Sequence, residues 1–399
     1  MSAMRICHVT YPFPPGGGGI QTHNHSLVKY LLAKGYDVDV IVVRPHSVSR
    51  EDVARAAETV NKGIKVHDIW YRGFPLWAID VRRKIGEIER ECPVDVFDVH
   101  SNYDVFPFLM KRGTVLFSLH FFELNCPGPR PDHAPRPCVH SFRKCRRCSG
   151  IRKYVQWRLV RWLAMKRVAK VMVKYDYMKR LAVEAGVPAD KIEVVPHWVD
   201  VDRYRQLARA NSFSLAGLDP TDKVVVHAAR LSPEKGIFTL LEAFDRLRKT
   251  VGNAKLVLVG DGVLREEAEA YCRSKHIEDS VIFVGSVEHE EVFKYLSLAH
   301  CAVSCQLYDN YSWSLLDYMC AEIPVVATDV GATSDILTDG YNALLADPTP
   351  QSLSAKVQQV LEDAQLGKEL AANALATVRQ KHAVDNLTHY EELVHRLSQ

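Results

Sequence analysis

No apolar run in this 399-residue chain approaches the roughly 20 residues that cross a bilayer as a helix. The opening segment MSAMRICHVTYPF has neither the long apolar core nor the small-residue cleavage site of a secretory leader. From these absences we expect a cytoplasmic protein, with peripheral contact at the inner face of the membrane left open. In that compartment the ten cysteines serve as thiols or metal ligands rather than as disulfides. The dinucleotide fingerprint G-x-G-x-x-G, with its acidic residue about 20 positions on, is missing, so the glycine-rich stretches need another reading. A recognised nucleic-acid-binding module is missing too, and no nucleic-acid partner is expected. Net charge is only +3, but it conceals an asymmetry. Residues 1–205 hold 34 basic against 21 acidic side chains, whereas residues 206–399 hold 17 against 27. The basic part suits an anionic or membrane-associated partner; mutual attraction between two domains explains the split equally well.

What is present is a repeated alternation of strands and helices. The chain is too long for one ordinary core and predicts two domains of roughly 150–200 residues. Short β-rich runs fall at 4–10, 38–43, 64–69, 95–99, 114–119, 169–174 and 192–195. The helical stretch after the first run ends at Gly35, a C-cap signal. Near 200 a polar stretch with proline and glycine reads as a linker, and a second series follows at 223–228, 255–259, 281–284, 301–304 and 324–327. Two such blocks predict two doubly wound α/β domains, with ligand at the carboxyl ends of the strands and in a cleft between the domains. The last helical segment, about 352–397, is expected to break near Gly367.

Chemistry concentrates at strand ends. In AARLSPEKG, Arg230 offers a planar fork for phosphate oxygens, Lys235 a point charge, and Gly236 a close approach before a helix. In DNYSWSLLDYM, Asp309 and Asp317 flank Tyr311, Ser312, Trp313 and Ser314. A helix beginning near Ser314 would place Asp317 in its first turn, beside any phosphate at the helix N-terminus. Acidic residues favour first turns in any protein, which is the plain alternative for Asp317. Two cations for a diphosphate and two carboxylates for hydroxyls is the pairing that a nucleotide-linked sugar requires. Gly260, directly after another strand, admits a base or phosphate or simply turns the chain. Gly17 and Gly18, inside the run Gly16–Gly19, bring backbone amides to an anion or form a flexible turn.

Two further features stand apart. Cys126, Cys138, Cys145 and Cys148 have the spacing of four thiolate ligands for a structural zinc ion, with His133 and His140 as spare donors. Free thiols and an iron–sulfur cluster are the alternatives. Residues 151–172 form a basic helical stretch in which Trp157, Leu159, Val160, Trp162 and Leu163 alternate with arginine and lysine. A core-facing stripe with a solvated basic face is expected there, with docking on an anionic membrane as the alternative.

The order of these elements resembles the retaining glycosyltransferases of family 4. A glycine-rich loop is followed by RLSPEKG, VGDG, IFVGSV and an acidic-x7-acidic segment running into IPVVATDVGATSDIL, over nearly the whole chain. The resemblance implies a GT-B fold, two Rossmann-like domains facing a central cleft. It also implies transfer of a sugar from a nucleoside-diphosphate donor, most simply a UDP-sugar, to a sugar, lipid-linked or small-molecule acceptor. By that resemblance Arg230 and Lys235 bind the donor diphosphate, Asp309 the sugar hydroxyls and Asp317 the ribose. His120 stands near the transferred sugar, and no catalytic metal is required. The resemblance assigns acceptor binding to residues 1–205, with a cysteine-rich insertion at about 123–150, and donor binding to 206–375. A helical segment, 376–399, would return toward the first domain. Relatives with a similar insertion favour a structural role for the four cysteines. The chain departs from the family pattern in several places. Both glutamates of the acidic motif are aspartates, its Phe-Gly pair is Tyr311-Ser312, and its G-R-L glycine is Ala229. The family's P-N-G-V-D has His197 and Trp198 at its asparagine and glycine, and Tyr175 stands where a serine is usual. Shorter carboxylates and a Cβ at Ser312 point to a reshaped sugar pocket. A member that binds nucleotide or acceptor without turnover is the alternative function.

Overall fold

The computed structural model describes residues 4–11, 13–15, 19–73, 75–100, 113–120, 151–210, 213–308 and 312–399. In the helix Ile151–Arg167 the side chains of 153, 154, 156, 157, 160, 161 and 164 are outside that description. The four expected zinc ligands, together with Gly17, Gly18, Asp309 and Tyr311, lie outside the described residues.

The chain divides into two compact units, Met1–His197 joined by Thr388–Gln399, and Trp198–Leu387. The first is built on a seven-stranded parallel sheet in the order β3-β2-β1-β4-β5-β6-β7. Its strands are Arg5–Thr10 (β1), Asp37–Arg44 (β2), Lys65–Trp70 (β3), Val96–His100 (β4), Thr114–Ser118 (β5), Val168–Val173 (β6) and Ile192–Val194 (β7). Every residue of β1 and β4 is buried, the pattern of a parallel sheet covered on both faces. The helix Gly19–Ala33 lays Leu27, Val28 and Leu31 against this sheet. It stops at Gly35, whose φ of +88° lets Tyr36 N–H reach the Leu31 carbonyl at 3.1 Å.

The second unit carries a six-stranded parallel sheet in the order β10-β9-β8-β11-β12-β13. Its strands are Lys223–Ala228 (β8), Ala254–Val259 (β9), Val281–Gly285 (β10), Cys301–Ser304 (β11), Val325–Thr328 (β12) and Leu344–Ala346 (β13). Leu240, Phe244, Leu256, Leu258, Val303, Val326 and Val357 meet in its core. The sheet grows in both directions from β8: β9 pairs with one side and β11 with the other. That reversal opens a crevice at the carboxyl ends, where a doubly wound sheet accepts ligand.

Several expectations need correction. The stretch expected as a linker contains the helix Val201–Arg209. Asp200 caps it by accepting from Arg203 N–H at 3.1 Å, and Val201, Tyr204 and Ala208 bury one face. Gly367 does not break the last helical segment; it lies buried within Ala364–His382. The break is at Asp363, whose carboxylate caps the new helix through Gln365 and Leu366 N–H. A second break at 383–387 precedes Thr388–Ser398, which packs into the first unit. The stripe expected to face the core on Ile151–Arg167 instead leaves Leu159 and Trp162 more than half exposed, along with Ile151 and Val155.

Candidate active site

In the second unit the candidate residues gather on loops that leave β8, β9, β10 and β11. After β8 the chain turns through Arg230 and the short turn Pro233–Lys235 into the helix Ile237–Leu247. Gly236 makes this turn with φ +69° and caps the helix without any side chain. A Cβ there would lie 2.0 Å from the Cys305 carbonyl oxygen, so only glycine lets the loop sit against the end of β11. Gly260 and Gly262 serve the same loop from the other side. Their Cβ positions would fall 2.0 Å from the Ala229 oxygen and 2.3 Å from the Leu231 oxygen. Bonds from Ala229 N–H to Val259 and from Leu231 N–H to Asp261, both 3.0 Å, lock the two loops together. Gly260 therefore earns its place through close backbone contact with the Arg230 loop.

This construction leaves Arg230 largely exposed, with a 3.2 Å contact to Glu234 across the turn. The Ser232 hydroxyl donates to the same carboxylate at 2.7 Å. Burial alone would raise the Glu234 pKa; the Ser232 bond and the Arg230 and Lys235 charges outweigh it and hold the value below the ordinary one. Lys235 is half-buried beside it. The result is a cationic rim above a helix N-terminus with no side-chain cap, an arrangement suited to an anion.

After β11 the helix Trp313–Cys320 begins one residue earlier than expected, with Ser312 as its N-cap. Ser312 is buried and its hydroxyl lies 2.9 Å from that of Ser314. Asp317 therefore falls in the second turn, not the first, and faces inward rather than toward the helix end. Its side chain is 5% exposed and meets His289 Nε2 at 3.1 and 3.0 Å. Next to it, the Tyr318 hydroxyl accepts from Ala228 N–H at 2.8 Å and fastens this helix to the end of β8. His289 had no signal in the sequence: 28 residues and two loops separate it from its partner.

In the first unit His120 follows β5 and is fully buried. It belongs to a hydrogen-bonded chain that the sequence did not reveal. His120 Nε2 lies 2.9 Å from His100 Nδ1, and His100 Nε2 lies 3.1 Å from Asp98. The Asp98 carboxylate also accepts from Ser118 at 2.6 Å and from Tyr390, on the last helix, at 2.7 Å. Burial would raise the Asp98 pKa, but His100, His8 and the Ser118 bond hold it far below the carboxylate range. His8, His23, His197 and Lys174 are buried around the same chain. Desolvation lowers His8 to about 4 and Lys174 to about 7. It also drives His23 and His120 well below the ordinary histidine value, with the Lys174 charge acting in the same direction. Two triplets, His23–His100–His120 and His8–Asp98–His100, bring ligand-type atoms within 4.8 Å of one another. The hydrogen bonds among Asp98, His100 and His120 engage members of both triplets, and the Lys174 charge disfavours a cation beside His23 and His120. The shared signal was strand ends: His100 closes β4 and His120 lies two residues past β5, whose Ser118 pairs with His100.

Two parallel α/β units, the second with a cation-rimmed crevice, define a GT-B architecture. The family described as Glycosyltransferase Family 4 matches residues 17–203, and the one described as Glycosyl transferases group 1 matches 209–377. The chain belongs to this family of glycosyltransferases. An uncharacterized glycosyltransferase of Methanocaldococcus jannaschii is 26% identical over 96% of both chains. A glycogen synthase of Mycobacterium tuberculosis is 23% identical over 90% of this chain and 86% of its own. The Anabaena HepE structure, solved with UDP and glucose, superposes with a TM-score of 0.75 at 18% identity, covering 99% of this chain and all of its own. No helix among the described residues is long and apolar enough to cross a membrane.

Proposed function

We propose that this glycosyltransferase moves a sugar from a UDP-sugar to a hydroxyl of a polysaccharide, glycolipid or small-molecule acceptor, with retention at the anomeric carbon. The carrying observation is the glycine-packed loop, which presents Arg230 and Lys235 above the uncapped start of Ile237–Leu247. As the C1–oxygen bond to the diphosphate breaks, negative charge develops on the leaving group, and these fixed cations and backbone amides stabilise it. The acceptor hydroxyl then attacks the same face and passes its proton to the departing diphosphate oxygen, a course that needs neither an enzymatic nucleophile nor a catalytic metal. In this reading the second unit binds the donor and the first binds the acceptor. Gly17, Gly18, Gly236 and Gly260 shape the donor site. Asp309, Tyr311, Ser312, Trp313 and Ser314 are the proposed sugar contacts of the second unit, and His120 is the proposed polar group of the first. HepE, crystallised with UDP and glucose, supports uridine as the nucleoside. The acceptor side is proposed to touch the inner membrane surface through Ile151–Arg167, which has six basic and no acidic residues beside its exposed apolar face.

The test is a panel of UDP-, GDP- and TDP-sugars with released nucleotide as readout, followed by the anomeric configuration of the product. Turnover with one UDP-sugar and a retained anomer supports the proposal. Tight nucleotide binding with no turnover under any donor and acceptor would replace it with a binding role.

A further inference from the structure

His289 and Asp317 form a pair whose two members differ sharply in access. The Asp317 side chain is 5% exposed, and that of His289 is 29% exposed. Both carboxylate oxygens face His289 Nε2, at 3.1 and 3.0 Å, so the carboxylate lies behind the imidazole. An acidic side chain one methylene longer would carry its carboxylate outward by about 1.5 Å, the length of a carbon–carbon bond. With aspartate at 317 that reach is gone, and the imidazole occupies the outer position instead. Its orientation is fixed on two sides. The Tyr204 ring stands edge-on at 5.3 Å and the Phe293 ring at 6.0 Å.

We propose that His289 is the side chain that holds the nucleoside-diphosphate end of the donor, with Asp317 as the positioning residue behind it. The proposal rests on the donor reading above and replaces the direct ribose contact that family resemblance assigns to Asp317. Because Nε2 faces a carboxylate, it carries its proton there, and the opposite ring atom, Nδ1, is the one directed away from Asp317. Burial alone would lower the His289 pKa; the Asp317 carboxylate, helped by Glu290 and opposed by Arg203, raises it above the ordinary histidine value. Tyr204, the other titratable group against the ring, is held neutral by burial and by the Asp317 charge. In the protonated form Nδ1–H donates a charge-assisted bond to a ribose or phosphate oxygen.

The experiment compares UDP binding by calorimetry for the wild type, His289→Gln and Asp317→Asn from about pH 5.5 to about pH 9. Using the ratio of dissociation constants cancels the ionisation of UDP itself. His289→Gln is expected to weaken UDP about tenfold or more at the acid end, the worth of one charge-assisted hydrogen bond. That ratio should shrink as pH rises through the raised His289 value. Asp317→Asn should move the same transition to lower pH, because the carboxylate no longer supports the proton. A purely structural tie between the two loops would change thermal stability but leave no pH-dependent ratio. If the wild type binds UDP and His289→Gln matches it within about twofold across the range, the inference is overturned while the donor reading stands. If the wild type binds neither UDP, GDP nor TDP, the donor reading itself fails. Should Asp317→Asn not fold, the partly exposed His289→Gln variant decides alone.

Discussion

Replacing Gly236 by alanine tests the construction of the Arg230–Lys235 loop directly. The residue has φ +69°, where an L side chain costs about 1–2 kcal/mol. Its new Cβ would lie 2.0 Å from the Cys305 oxygen, also near the Leu307 side chain at 3.4 Å. Relieving that contact means moving the loop away from β11 by about 1 Å, an overpacking cost of about 1–3 kcal/mol. Together these give about 2–5 kcal/mol, or a fall in melting temperature of about 4–20 °C for a unit of this size. The functional effect should be larger than the stability effect, because a 1 Å misplacement of charge-stabilising groups costs about a hundredfold in rate. Differential scanning calorimetry and UDP-sugar turnover measure the two quantities on the same sample. Gly252→Ala is the control, since no atom lies within 4 Å of its added Cβ and its φ is not strained. That variant should stay within about 0.5 kcal/mol of wild type. A Gly236→Ala protein with wild-type melting and wild-type turnover would show that the loop does not depend on this close approach.

Tyr390→Phe removes a 2.7 Å donor from a fully buried carboxylate and should destabilise the first unit by about 1.5–3 kcal/mol in urea titration; an unchanged midpoint would mean that the Asp98 chain is not structural. Because the folded-state pKa of His289 is raised, its contribution is complete below about pH 6.5 and is lost as pH rises through the raised value. Asp317→Asn should flatten that alkaline decline in melting temperature. For His8 the sign is opposite: its folded value is depressed to about 4, so stability present above about pH 6.5 is lost on acidification toward that value. Melting curves should show both slopes. Finally, Leu159→Asp with Trp162→Asp should abolish co-sedimentation with anionic vesicles while leaving melting unchanged, since both side chains are more than half exposed. Equal binding to neutral vesicles, or no loss in the double variant, would dismiss the membrane face.

The architecture was readable because each buried strand is a short, β-branched run set apart by turn residues. VVVHA and LVLV show it well, and helix-length segments return the chain between them. Where the reading slipped, a local signal was outweighed by a neighbour. Gly367 looked like a helix stop, but Asp363 four residues earlier supplies a stronger cap and starts the helix that carries Gly367 through. VDRYRQLAR looked like linker because only Val201, Tyr204 and Ala208 are buried in it. Strand β13, three residues long, offers too little pattern to separate from a loop. The cationic half of the site was legible, since Arg230, Lys235 and Gly236 fall in one short strand-to-helix loop. The histidine half was not. Asp98, His100 and His120 converge only through sheet register, and His289 reaches Asp317 across two loops, so nothing local announces either contact.

The helix Thr388–Ser398 gives the first unit an unusual dependence on time. As the chain leaves the ribosome, β1 to β7 emerge first, followed by the whole of Trp198–Leu387, and only then by Tyr390 and Glu391. Until that moment Asp98 lacks its Tyr390 donor, and Tyr30 lacks its 2.9 Å bond to Glu391. The second unit, by contrast, is one continuous stretch and can close on itself during synthesis. Nascent protein would thus carry a finished second unit while the first unit still has an open seam. Emergence of Thr388–Ser398 seals it.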